Sequence, residues 1–408
     1  MLDLNTGMVP GAPAAINFRP NHGPLSHGYR ICTTTVMDTT DPGLTFDSDG
    51  NCQFVKAYKQ RREIELKPGA EGKEYFRALV ARIRRPRGFD CICGVSGGVD
   101  SSLVLLRAVE AGLRPLAVHV DNGWNHELAV ANIERITRAL SVELHTEVLD
   151  WEEFRDLQRS FFLASVPNVE MVTDHAINAT LFRLASEVGA KVILSGSNLS
   201  SEAFLPTNAG LDNKDWTHIR AVHRRFGRVP VQRFPHLSAA RFAYLILVRR
   251  VRFIPILNYL EYDRDAAKAE LAAKCGWRDY GRKHGESRFT RFFQEHYLPV
   301  KFGVDKRRAH LSCQILAGHI SREAALESLR RPLWQPGEVE TETDFVCRKL
   351  GFSTQEWAEI MVAPPRSHFE YPTNPLFRSY ESPGYQWLRS IATGRATYRA
   401  AWSPNDGC

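Results

Sequence analysis

Long apolar runs are missing from this sequence. Nowhere do 18 uncharged apolar residues follow one another, and the nearest stretch, residues 241–260, holds Arg241, Arg249, Arg250 and Arg252. That excludes a membrane-spanning helix. The first residues lack a basic start followed by an apolar block, so no secretory signal is read. Cysteine is scarce, 8 in 408 residues and scattered, which is too few for a disulfide framework; a reducing cytoplasm is the expected setting. Lysine is scarce as well, 12 residues against 41 arginines, within a net charge of +7. The arginine fork suits phosphate and carboxylate, so the balance is compatible with anionic partners, although a GC-rich genome would leave the same imprint. What remains, 43% hydrophobic and 24% charged, is ordinary globular composition with room for two to three folding units at roughly 100–200 residues each.

Five segments follow from the patterning. Residues 1–30 are rich in Pro, Gly, Asn and His and read as a flexible arm. Residues 31–70 form a turn-rich segment with Cys32 and Cys52. Residues 71–235 alternate short apolar strands (90–95, 114–120, 142–149, 191–194) with amphipathic helices (71–85, 101–111, 127–140, 151–163, 174–188). That alternation predicts an α/β unit with a parallel sheet covered on both faces. Residues 236–363 read as a mostly helical region, and 364–408 as a tail or loosely packed cap. There is no internal repeat.

The chemistry concentrates where the first strand meets its helix, at Ser96-Gly97-Gly98-Val99-Asp100-Ser101-Ser102. Glycines let backbone N–H groups approach an anion, and the helix start adds unpaired donors. The serine hydroxyls of Ser96, Ser101 and Ser102 add more, and Asp100 is an acid placed to hold Mg²⁺ beside a phosphate. Neither G-x-x-x-x-G-K-[ST] nor the dinucleotide G-x-G-x-x-G occurs. The second strand ends in Asp121-Asn122-Gly123 and the fourth in Gly196-Ser197-Asn198-Leu199-Ser200-Ser201-Glu202.

The Ser96–Ser102 loop resembles the pyrophosphate (PP) loop of the ATP pyrophosphatases, which include NAD, GMP and asparagine synthetases and several tRNA-modifying enzymes. The resemblance implies a Rossmann-like ATP-binding fold in which the α-phosphorus of ATP is attacked and pyrophosphate leaves. It implies ATP contacts from Ser96, Gly97, Gly98, Asp100, Ser101, Ser102, Asp121, Gly196 and Asn198, and Mg²⁺ on Asp100 and Glu202. Several blocks, taken in order over about residues 30–365, resemble one family, the N-acetyl sugar amidotransferases of surface-polysaccharide biosynthesis. They are Cys32–Pro42, the loop, Val120–Asn125, Leu149–Phe154, Asp174–Ile177, Tyr280–Ser287 and Lys301–Ser312.

This resemblance implies that an acetamido group on a nucleotide-activated sugar becomes an acetamidine, with AMP and pyrophosphate as products. Lys283 and His284 would serve catalysis. Asp174, Lys283, Glu286, Lys301, Lys306 and Arg307 would bind the sugar nucleotide, with Arg288, Arg291 and Arg308 close by and His310 a further proton acceptor. No glutaminase elbow Gly-x-Cys-x-Gly is present and position 2 is Leu2, so ammonia would come from a separate glutaminase partner with a cyclase-like subunit, or from solution. The family's paired Cys-x-x-Cys knuckle is halved here to Cys32…Thr35 and Cys52…Val55, which puts zinc at Cys32 and Cys52 in doubt. Two other readings stay open: a tRNA-modifying ATP pyrophosphatase, although no RNA-binding appendage is evident, and a nucleotide-binding subunit without turnover.

Overall fold

The computed structural model describes residues 28–67, 69–204, 206, 211–281, 286–377 and 383–393. Most of the arm read at 1–30, and Lys283 and His284, lie outside them. Five parallel strands form one sheet: β1 (Cys91–Gly94), β2 (Pro115–Asp121), β3 (Leu144–Val148), β4 (Val192–Ser195) and β5 (Arg252–Pro255), in the order β3-β2-β1-β4-β5. The chain builds from β1 out to β3, then returns to lay β4 on the other side of β1. In such sheets the crevice beyond the strand ends, at the reversal, is where ligands bind. Here it lies between the ends of β1 and β4.

β1, β2 and β4 are buried along almost their whole length, as the continuous apolar runs Cys91-Ile92-Cys93 and Leu116–Val120 require of strands covered on both faces. Helix Val99–Glu110 buries Leu103, Val104, Leu105 and Leu106 on one face with Ile133 and Ile136 of helix Glu127–Ala139. Helix Met171–Glu187 covers the other face through Ala179, Leu181, Phe182 and Ala185. Cys91 and Cys93 are buried in the strand, as the alternation with Ile92 predicts for core residues.

The α/β unit runs further than residue 235. β5 pairs with β4, and helices Ala239–Leu247 and Arg264–Cys275 bury Phe242, Leu245, Leu271 and Cys275 in the sheet's own cores. Sequence reading missed β5 because it has only four residues, follows Arg249 and Arg250, begins with Arg252 and ends on Pro255. The last segment is also not loose to position 377: His368, Tyr371 and Phe377 are buried, and helix Pro383–Thr393 follows.

A third core binds the α/β unit to the C-terminal helices. Phe154, Phe161 and Phe162 of helix Trp151–Leu163 pack with Phe289, Tyr297, Phe352 and Trp357. Phe162 meets Tyr297 edge-on at 4.8 Å and Trp357 at 5.5 Å. Each buried ring contributes about 1.5–3 kcal/mol.

Residues 31–52 fold as a small bridged module (Ile31 with Asp38, Phe46 with Cys52). At its centre Cys32, Cys52 and Val55 are buried with Met37 and Ala309, and the Thr35 hydroxyl lies 3.7 Å from Cys52 Sγ. Thr35 and Val55 therefore fill the two positions where the halved motif lacks cysteine. Among the described residues no three His, Cys, Asp or Glu side chains converge on a metal position.

Candidate active site

Gly97 and Gly98 shape the loop after β1. Gly97 has φ +79°, and a Cβ there would sit 2.3 Å from the Ala129 carbonyl oxygen, so only glycine fits. Its own carbonyl accepts from Trp277 Nε1 at 2.8 Å. Gly98 is the N-cap of helix Val99–Glu110 without a capping side chain, which leaves the helix start free to meet an anion. A Cβ on Gly98 would lie 3.1 Å from Tyr280 Oη and 3.4 Å from a Glu286 carboxylate oxygen. The serines are pre-ordered. Ser96 N–H donates to Ser101 Oγ at 3.2 Å, Gly98 N–H donates to Ser96 Oγ at 3.3 Å, and Ser101 Oγ donates to Gly98 O at 3.2 Å. Ser102 is buried, with no partner for its hydroxyl among the described residues.

Across the crevice Gly196 allows the end of β4 to touch the loop helix. A Cβ there would lie 2.9 Å from the Asp100 carbonyl carbon. Asn198 is committed to structure: it caps helix Leu199–Glu202 through Ser201 N–H at 3.0 Å and donates to Gly196 O at 3.2 Å. Asp121 accepts from Gly123 N–H at 2.9 Å and from Asn125 Nδ2 at 3.2 Å.

Asp100 accepts a hydrogen bond from Tyr262 Oη. Burial and then the Asp100 charge hold the Tyr262 phenol well above its ordinary value, and Glu202 adds to the rise. Asp100 and Glu202 thus flank one tyrosine beside the phosphate loop. Two carboxylates next to a phosphate cradle are a donor set that fits Mg²⁺, which takes one or two carboxylates together with phosphate oxygens. Tyr280 is raised likewise by burial and by Glu286. Arg264, the first residue of its helix, acts electrostatically on both tyrosines, and its Nε is buried with no partner among the described residues. Tyr262 and Arg264 carried no sequence signal, because only β5 and the turn after it bring them to the loop.

Asp174 lies in the first turn of helix Met171–Glu187. Burial first, then the neighbouring Glu170, push its carboxyl up to about 7, against a smaller opposing pull from Lys306. The Glu202 charge adds a smaller push in the same direction.

Two other expected contacts lie elsewhere. Lys301 is buried, and its ammonium donates to the carbonyls of Ile360 and, at 2.8 Å, Ala363. It closes the end of helix Thr354–Val362, and burial pulls it down to about 8. Arg307 holds Asp305 at 2.7 Å and the Arg331 carbonyl at 2.9 Å. Arg308 ties the N-terminal module through Asp38 at 2.9 Å.

Tyr280 also lines a cavity of about 810 Å³ with Trp124, Asn125, Arg288, Phe345 and Lys349. Its walls are stitched together. His126 N–H donates to Glu286 O at 2.8 Å and Arg288 N–H to Trp124 O at 3.1 Å. Arg288 is neutralised by Glu342 through two bonds of 3.0 and 2.7 Å. Lys349 lies 4.8 Å from the Trp124 ring centre and makes no ion pair among the described residues; burial, then Arg288, lower its pKa.

Comparisons with known proteins divide the chain along these lines. Residues 90–182 match the family "Queuosine biosynthesis protein QueC" and residues 286–383 match "LPS biosynthesis protein WbpG-like, C-terminal domain". No curated protein sequence matches. Among solved structures, NMN synthetase from Francisella tularensis is 14% identical over 70% of this chain and 98% of its own, with TM-score 0.29. The NH3-dependent NAD synthetase from Campylobacter jejuni is 14% identical over 50% and 82%, with TM-score 0.27. The U34-tRNA thiolase NcsA from Methanococcus maripaludis is 14% identical over 66% and 84%, with TM-score 0.31. Likeness this shallow carries no functional weight. No helix among the described residues is long and apolar enough to cross a membrane. The chain thus joins a five-stranded parallel sheet, with residues 90–182 similar to the QueC family, to a segment at 286–383 similar to the WbpG-like C-terminal domain.

Proposed function

We propose that the chain is an ATP-dependent amidotransferase of lipopolysaccharide or surface-polysaccharide synthesis. Its substrate would be a nucleotide-activated N-acetyl sugar and its product the acetamidine. The supporting observation is that the WbpG-like domain opens at Glu286–Arg288, where it is stitched to the turn after β2 and meets Tyr280 opposite Gly98. One residue thus borders both the phosphate loop and the 810 Å³ cavity.

In this reading the sugar's amide oxygen attacks the α-phosphorus of ATP and pyrophosphate leaves. Ammonia adds to the carbon of the O-adenylyl imidate, a proton is lost, and AMP departs with the former amide oxygen. An amide oxygen is a poor leaving group and AMP a good one, which is what ATP contributes. The N–H groups at the start of helix Val99–Glu110, with Ser96 and Ser101, receive the departing phosphates. Arg264 supplies a fixed positive charge there. Mg²⁺ held by Asp100 and Glu202 would offset charge on the same oxygens. Asp174, near neutrality, is suited to accept the proton released by ammonia. Lys349 pairs with an anionic group of the sugar nucleotide in the cavity. A separate glutaminase would deliver the ammonia.

The test is mass spectrometry of products from protein, ATP, Mg²⁺, an ammonium salt and a panel of acetamido nucleotide sugars. A sugar lighter by about 1 Da, formed in step with AMP, is the expected result. AMP formed with bulk tRNA and with no sugar would overturn it.

A further inference from the structure

β3 is the edge of the sheet, and only β2 pairs with it among the described residues. The bonds Ala117 N–H to Glu143 O and Leu149 N–H to Asp121 O, both 3.0 Å, fix the phase of the ladder. Residues 143, 145, 147 and 149 turn their backbone groups to β2. The intervening Leu144, Thr146 and Val148 therefore aim theirs at the open edge, where no backbone partner meets them among the described residues. Leu144 is 37% exposed and Val148 71%. Natural edges are commonly guarded by proline, lysine or a bulge; this strand, Leu-His-Thr-Glu-Val, has no proline or lysine.

The five residues are complementary to themselves. Laid antiparallel to a second copy about Thr146, Leu144 faces the other copy's Val148, His145 faces its Glu147, and Thr146 faces its own counterpart. The outward groups of residues 144, 146 and 148 then fall into hydrogen-bonded pairs, as an antiparallel ladder requires. The His–Glu pairs fall on the closer, non-hydrogen-bonded positions of the opposite face, where unlike charges help. Within one chain Glu147 already holds His145 at 3.1 Å and Arg183 at 2.7 Å, so pairing extends an existing network.

We propose that the chain dimerises through β3, joining two five-stranded sheets into one continuous sheet about a two-fold axis at Thr146. Because the strands of the two copies run in opposite directions, their phosphate loops open at opposite ends of the assembly. Dimerisation therefore obstructs neither site.

Sedimentation velocity over a wide concentration range tests this with the full chain. The expected mass is about twice the 46.2 kDa of one chain. Thr146→Pro removes the central outward donor and no bond to β2, a position where an edge strand tolerates proline; it should give monomers with unchanged circular dichroism. Val148→Glu should weaken the dimer about tenfold, and adding Leu144→Lys should restore it, because the new lysine meets the new glutamate only across the two copies. Within one chain those positions are about 13 Å apart. A wild-type monomer at every concentration would overturn the proposal. So would a dimer indifferent to Thr146→Pro, or a double variant as weak as the single.

Discussion

The loop at 96–102 and the basic segment at 301–308 are equally conspicuous in the sequence, and in the folded chain they behave in opposite ways. The loop holds its polar groups in reserve. Gly98 caps its helix with no side chain, the serines bond mainly to one another, and Arg264 has a buried Nε with no partner among the described residues. The basic segment has spent its charges internally. Lys301 closes a helix end, Arg307 grips Asp305 and three carbonyls, and Arg308 docks the N-terminal module. Lys306 is the exception in its effect, since its charge opposes the rise of Asp174. Charge alone does not mark a ligand site; unsatisfied donors gathered at a crevice do.

The sharpest way to break this contrast is at the loop. Asp100→Asn should reduce pyrophosphate release by at least about a thousandfold with the melting temperature kept, and wild-type turnover would sink the metal assignment. Gly97→Ala should lose nucleotide binding and stability together, since the added methyl meets the Ala129 carbonyl. Arg264→Ala should come next, raising the KM for ATP roughly 10- to 100-fold in steady-state assays; lysine should restore little because the fork is lost. Lys301→Met should do the reverse. Two buried carbonyls lose their donor, so urea unfolding should show a loss of about 2 kcal/mol, with the KM for every substrate unchanged.

The last effect concerns pH. His368 accepts from Asn168 N–H at Nε2, at 3.2 Å, so its proton sits on Nδ1 and is donated to His218 Nε2 at 2.9 Å. Burial holds His175, His218 and His296 down to about 4, and His368 well below its ordinary value. Depressed histidines mean that the unfolded chain binds more protons between their ordinary 6.5 and 4. Their contribution is therefore complete above pH 6.5 and is lost as pH falls toward 4. Melting curves from pH 7.5 to 4.5 should show that decline. A flat profile would mean the rings accept protons without opening the core.

The strand–loop–helix unit was legible because its signals are local. Cys91–Val95 is apolar without interruption, Gly97 and Gly98 mark the turn, and the 3.6-residue period resumes at Val99. Strands β1 to β4 followed in the same way. β5 was not legible: its pairing with β4 is a long-range contact, and its arginine flanks look like surface. Tyr262, Arg264 and Trp277 escaped for the same reason, since each reaches the loop only after β5 is laid down. Lys301 and Arg307 misled because a cation closing a helix end and a cation awaiting a phosphate look identical in sequence. Asp174 came from family likeness alone.

The N-terminal module, with Cys32, Thr35, Cys52 and Val55 at its centre, has a consequence for the protein's dependence on its surroundings. A knuckle held by zinc is hostage to the supply of the ion and to any chelator that competes for it. Here Thr35 and Val55 stand beside Cys32 and Cys52, leaving two thiols where such a knuckle has four. The module is also anchored by Arg308 and Arg322, which reach across from the far half of the chain to Asp38 and to the Cys32 carbonyl. The module's place in the fold therefore depends on residues nearly 300 positions further along the chain.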